Sequence, residues 1–107
     1  MTKERSKIES LQIVGKRITS VVSGIGMMRA MTNLKELNLT SNRIVEVACL
    51  NDLKGLTTLI LNSNRIEDVS SLNLPILTHL SLDRNRIKTI SGLRGVKKLE
   101  ELSLLGN

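Results

Sequence analysis

His79 is the chain's single histidine, the residue type most often used in acid–base chemistry. Glu36 and Glu101 stand at equivalent places in the pattern of the chain, and Asp83 lies farther along the same segment. An imidazole beside a carboxylate is a minimal acid–base pair. Nothing completes it into a catalytic set. Ser81 and Ser103 lack any motif-like nucleophile context. One histidine and one cysteine, Cys49, cannot assemble a zinc site. Gly24-Ile25-Gly26 lacks the third glycine and the setting of a nucleotide-binding turn. The expectation is a chain that is no enzyme, with no cofactor and no metal. Two other residue types recur at matching places in a repeated pattern. Arg17, Arg43, Arg65 and Arg86 offer guanidinium groups that suit an acidic surface or a phosphate backbone. Asn42, Asn64, Asn85 and Asn107 offer carboxamides, each with two donors and an acceptor, which suit the bridging of backbone groups.

The interval is the frame that must position all of these residues. The asparagines lie 22, 21 and 22 residues apart. Leu34, Leu56, Leu77 and Leu99 keep the same period, as do Leu37, Leu59, Leu80 and Leu102, and then Leu39, Leu61, Leu82 and Leu104. Ile44, Ile66 and Ile87 follow, then Val47, Val69 and Ile90. The unit reads L-x-x-L-x-L-x-x-N-x-I-x-x-[VI]-x-x-L, and a regular period of this length marks stacked repeats. An earlier, degenerate copy holds Ile8, Leu11, Ile13, Ile18 and Val21, with Lys16 in the asparagine column. The step from Ile8 to Leu34 is longer than the others, and the extra length falls in Gly24 to Met31. That stretch has room for a helical turn or two, with Met27, Met28 and Met31 packing beneath it.

Each unit explains itself locally. Alternation in Leu59-Ile60-Leu61 fits a short strand with one buried face. The chain then turns back, and backbone groups at that turn point inward and need partners. Asn64 can bridge the turn of its own repeat and its neighbour, so the asparagine column is a structural ladder. The rest of the unit, such as Ile66 to Leu72, returns along the outer side and adds a second apolar row.

Composition agrees with this plan. The chain has 107 residues, a net charge of +6, 40% hydrophobic residues and no Phe, Tyr or Trp. A core of Leu, Ile, Val and Met suits many small, similar packing sites. Without aromatics there is no stacking platform for single-stranded nucleic acid. A lone cysteine forms no internal disulfide and fits a reducing compartment, so a cytoplasmic or nuclear setting is expected. The charged start, MTKERSKIES, has no apolar segment of the signal-peptide kind, and no apolar run reaches the length of a membrane span.

The units LKELNLTSNRIVEV, LTTLILNSNRIEDV, LTHLSLDRNRIKTI and the partial LEELSLLGN resemble the leucine-rich repeat family. Their resemblance is to its 22-residue class, found in the nuclear regulatory subunit of protein phosphatase-1 and in an axonemal dynein light chain. The resemblance covers about residues 8–107. It implies an α/β solenoid: a right-handed superhelix with a parallel concave β-sheet of about five short strands, and protein binding on the concave side. The organisation expected is one domain over 1–107. Residues 1–33 form an atypical N-terminal capping repeat with a longer outer segment, and 34–107 form regular repeats, the last incomplete. Leu99, Leu102 and Leu104 then belong to an open repeat. Either the chain is a piece of a longer protein or something covers that end.

The outward strand positions form a grid. It comprises Ser10, Gln12 and Val14; Glu36, Asn38 and Thr40; Thr58, Ile60 and Asn62; His79, Ser81 and Asp83; and Glu101, Ser103 and Leu105. The grid reads as mixed polar and nearly neutral, with Val14, Ile60 and Leu105 exposed among hydroxyls and amides. A few apolar anchors within polar groups suit a protein partner. The function expected is therefore a protein-binding scaffold or regulatory module in a phosphatase, axonemal or other cytoskeletal or ciliary assembly. The competing class is a nucleic-acid or ribonucleoprotein module using the arginine edge, with Arg84 and Lys16 beside it. Glu46, Glu67, Asp68 and Asp83 lie close by in the sequence to offset that edge, which makes nucleic acid the weaker reading.

Overall fold

The leucine pairs at 37/39, 59/61 and 80/82 are 2% exposed or less, which drives the short strands that carry them. In the computed structural model, which describes residues 7–19, 33–90 and 92–107, these strands are β1 (Ser10–Gln12), β2 (Glu36–Asn38), β3 (Thr58–Ile60), β4 (His79–Ser81) and β5 (Glu101–Ser103). They pair in parallel in chain order as one five-stranded sheet. The registers align Leu11, Leu37, Leu59, Leu80 and Leu102 in one row. Each turn of the solenoid thus adds one strand and one layer of leucines. Its crossovers take the right-handed sense that parallel connections favour.

The return side supplies the other wall of the core. Ile44, Val47, Leu50, Leu53, Ile66, Val69, Leu72, Leu74 and Val96 are buried there. Each such side chain, once buried, stabilises the fold by roughly 1.5–3 kcal/mol before entropy is counted. Among the described residues the helical structure on this side is 3-10: one helix over Ala48–Asp52 and a second over Leu93–Gly95. Few residues separate the apolar positions, so the backbone links them by tight three-residue steps. Leu50, Leu53 and Leu56 donate their amides to Val47, Leu50 and Leu53 at 3.0, 3.0 and 3.1 Å.

The 21-residue repeat is short on this side. Leu72 and Leu74 are two positions apart, where the equivalents Leu50 and Leu53, and Leu93 and Val96, are three apart. Leu74 then has no 3-10 partner within its own turn. Its amide donates to Gly95 O in the next repeat at 3.1 Å. The same closeness excludes a side chain at 95, because a Cβ there would lie 2.0 Å from Leu72 O.

One expectation changes, and another lies outside what the structure describes. Ile90 belongs to the apolar column of Val47 and Val69, which are buried, yet it is 55% exposed. Its equivalents Val47 and Val69 are covered by the repeat stacked on them, whereas Ile90 is not covered by any described residue to the same extent. Val21 and the stretch Gly24 to Met31 lie outside the described residues. The first copy contributes Ile8, Leu11, Ile13 and Ile18, partly buried against the core.

Candidate functional site

The turn after each strand brings the chain back beneath the sheet, and the asparagine column sits there. Asn64 is 7% exposed. Its Nδ2 donates to Leu61 O in its own repeat and to Leu39 O in the repeat before, both at 3.0 Å. Its Oδ1 accepts the Ile44 amide at 2.9 Å. Asn85 repeats the set with Leu82 O, Leu61 O and the Ile66 amide, at 3.0, 2.9 and 3.1 Å. Asn107 holds Leu104 O, Leu82 O and the Ile87 amide at 3.0, 2.8 and 3.0 Å. Asn42 binds Leu39 O and Ile13 O at 2.9 and 2.8 Å, and its Oδ1 accepts both the Lys16 and Ile18 amides. Lys16 therefore meets the ladder through its backbone, and its side chain plays no part in it.

The residue before each asparagine turns left-handed. Ser41, Ser63 and Arg84 have φ of 59°, 56° and 54°, while Gly15 and Gly106 fill the same column at 66° and 73°. Arg17, in the first copy, is also left-handed at 57°. Serine and arginine carry strain there that glycine does not.

The arginine column runs along the edge beyond this turn. Arg17, Arg43, Arg65 and Arg86 are all exposed. The amides of Arg43, Arg65 and Arg86 donate to Ile18 O, Ile44 O and Ile66 O of the preceding repeats, which holds the column at the strand spacing. No carboxylate among the described residues pairs with these four guanidinium groups. The expected local offset is absent as contact. Asp68 is turned to Ser70, whose amide and hydroxyl it accepts at 2.8 and 3.0 Å. Those bonds hold the Asp68 carboxyl below its ordinary pKa.

The open face of the sheet holds the grid. Row by row the register aligns Ser10, Glu36, Thr58, His79 and Glu101, then Gln12, Asn38, Ile60, Ser81 and Ser103. An open hollow of about 630 Å³ lies over β3, β4 and β5, lined on this face by Thr58, Ile60, His79, Ser81, Glu101 and Ser103. A smaller one, about 50 Å³, lies over β1 to β3, and Thr58 and Ile60 border both. Val14 and Leu105 are exposed, at 44% and 72%. Ile60 is half-buried rather than exposed, since its neighbours across the strands cover part of it.

Part of the grid is spoken for by the fold itself. Asn62 Oδ1 accepts the Ser81 hydroxyl at 2.6 Å and the Asp83 amide at 2.9 Å. Asp83 Oδ1 repeats this one turn on, with the Ser103 hydroxyl at 2.5 Å and the Leu105 amide at 2.9 Å. One turn earlier the pattern breaks, because Ile60 has no hydroxyl to give Thr40. The Thr40 hydroxyl and amide donate instead to Asn38 Oδ1 at 2.5 and 3.0 Å. An Asn or Asp just after L-x-L in one repeat, with a serine inside the L-x-L of the next, was the sequence signal for this second ladder.

The remaining groups face outward more freely. His79 Nδ1 lies 2.8 Å from the Thr78 hydroxyl, which donates to Thr57 O at 3.1 Å. That leaves Nε2 toward Glu101 Oε2, at 3.5 Å. Glu36 is exposed and joins neither ladder. The grid is less neutral than its sequence suggested. It holds Glu36, Asp83 and Glu101 and neither Lys nor Arg, in a chain with 16 of them. Among the described residues no group of three His, Cys, Asp or Glu is placed to hold a metal.

Comparison with known proteins places the fold. Residues 54–107 match the family described as Leucine rich repeat, and residues 32–74 that described as Leucine Rich repeats (2 copies). The chain is 46% identical over 76 residues to the human leucine-rich repeats and immunoglobulin-like domains protein 1, covering 64% of this chain and 7% of that protein. It is 36% identical over 77 residues to an Arabidopsis thaliana protein phosphatase 1 regulatory inhibitor subunit homologue, covering 69% of this chain and 24% of that one. The chain thus spans a small fraction of these relatives' length. The crystal structure of an internalin from Listeria monocytogenes superposes with a TM-score of 0.84 at 34% identity, over 99% of this chain and 30% of that one. With the leucine rows, the asparagine ladder and these likenesses in agreement, the chain belongs to the leucine-rich repeat family.

Proposed function

We propose that this chain is a non-catalytic protein-binding module that receives its partner on the concave sheet face, inside the cell. The observation that carries this reading is the hollow over β3–β5, bordered by the half-buried Ile60 among hydroxyls and carboxylates. Parallel sheets are generally covered on both faces, and here the chain's own return segments cover one. An aliphatic at the centre of a polar grid is the kind of anchor that carries binding energy once desolvated. A phosphatase-regulating assembly is favoured by the likeness to the plant regulatory subunit. An axonemal or other cytoskeletal assembly rests on the repeat class alone. A partner covering the open last repeat would act beside the face, at Leu102 and Leu105.

The test compares capture from cell extract by the wild-type chain and by Ile60→Lys. The variant is expected to lose the partner while its melting temperature stays near wild type. Capture at wild-type yield would overturn the reading. A second reading has its own support, the exposed arginine column without carboxylate partners among the described residues. It assigns a nucleic-acid or ribonucleoprotein surface to Arg17, Arg43, Arg65 and Arg86. It expects the reverse pattern: Arg43→Glu with Arg65→Glu abolishes capture, Ile60→Lys does not, and binding falls steeply with salt.

A further inference from the structure

Resting on the sheet-face reading, we propose that the segment bound there is an extended peptide carrying two basic side chains, spaced four residues apart. The charge distribution leads to this. The chain is strongly basic, yet its grid excludes Lys and Arg and displays Glu36 on β2 and Glu101 on β5 in the same row. Asp83 is engaged by Ser103 and Leu105, so Glu36 and Glu101 are the carboxylates free to meet a partner. Glu101 has one loose neighbour, His79 at 3.5 Å, and keeps a side-chain exposure of 75%.

The spacing follows from the sheet. Glu36 and Glu101 stand on β2 and β5, three strand intervals apart, or roughly 14 Å at ~4.8 Å per strand. An extended chain laid across the strands covers that in about four residues at ~3.4 Å each. Residues i and i+4 of an extended chain point to the same side. Two Lys or Arg side chains then reach the two carboxylates, and the residue midway, at i+2, points down between β3 and β4, over Thr58 and His79. A long apolar residue suits that place, since Ile60 stands two residues along β3 from Thr58 and borders both hollows. An acidic segment would face uncompensated repulsion on this grid, and a nucleic acid strand would as well.

The probe is a random dodecapeptide display library selected on the immobilised 107-residue chain. Enriched sequences are resynthesised and titrated by fluorescence anisotropy. The expected result is enrichment of Lys or Arg at i and i+4. Affinity should then fall about tenfold or more in Glu36→Lys or Glu101→Lys, and weaken as salt rises. Glu46→Lys, off this face and also exposed, should bind as wild type. Circular dichroism melts confirm that each variant is folded. Sequences without basic bias that are lost in Ile60→Lys would overturn this proposal and leave the sheet-face reading standing. Acidic sequences lost in Arg43→Glu with Arg65→Glu, or sequences indifferent to every sheet-face variant, would overturn both. Failure to enrich any sequence counts against the basic-peptide proposal alone.

Discussion

Asn64 shows how one side chain can hold two repeats together. Its amide satisfies carbonyls of two successive turns and an amide of the earlier one, all at 3.0 Å or less. Removing it leaves buried backbone groups without partners, which costs the desolvation of each. Asn64→Ala is expected to lower stability by roughly 1–3 kcal/mol, and Lys16→Ala by much less, because Lys16 meets the ladder only through its backbone. Urea unfolding of both variants checks this; equal losses would show that the carboxamides are not what matters. The residue just before each asparagine offers a gain instead. Ser63 has φ 56° and no side-chain bond of its own. Ser63→Gly should raise stability by about 0.5–1 kcal/mol, the relief of left-handed strain outweighing glycine's entropy. Thermal melts will show it; a loss would mean that the strain is negligible at this turn.

At the scale of elements, the 21-residue unit that starts at Leu56 shows how a single missing residue is absorbed. Leu72 and Leu74 sit too close in sequence for the usual 3-10 link, and Leu74 borrows Gly95 O from the next repeat. The return segments of these two repeats therefore approach until a Cβ at 95 would strike Leu72 O at 2.0 Å and Asn73 Cα at 2.9 Å. Backbone cannot yield as a side-chain tip can. Gly95→Ala is expected to destabilise by about 2 kcal/mol or more, measured by chemical denaturation. A neutral result would show that the two segments separate freely. Asn51 adds a second tie on the same side, its Nδ2 to Ser71 O at 2.8 Å and its Oδ1 accepting the Asn73 amide at 2.7 Å.

For the whole molecule, apolar exposure gathers toward the last repeat. Leu105 is 72% exposed and Leu102 36%, on and just after the last strand β5, and Ile90, on the return side of the repeat before, is 55% exposed. An uncovered strand edge with apolar neighbours favours pairing with another chain. The 107-residue chain should therefore associate reversibly at high concentration, and Leu105→Glu with Ile90→Lys should weaken this. Sedimentation velocity over a concentration series provides the check. A wild-type chain monomeric at all concentrations would show that this end needs no cover. Stability should otherwise spread along the stack, since each repeat is tied chiefly to its neighbours.

The period alone determined the leucine rows, the parallel strands and the place of the asparagines, because one residue interval repeats one local geometry. It also located the outward positions, since strand side chains alternate strictly. It could not tell which of those positions the fold would use for itself. Asn62 and Asp83 became struts because Ser81 and Ser103 stand one strand away, a relation that exists only once the strands are in register. Ile90 matched its buried column in sequence and came out exposed, because burial depends on what stacks above. The two exposed carboxylates of the grid were visible as letters. Their place in one row of the sheet face, Glu36 at the smaller hollow and Glu101 at the larger, was decided by the register of the strands.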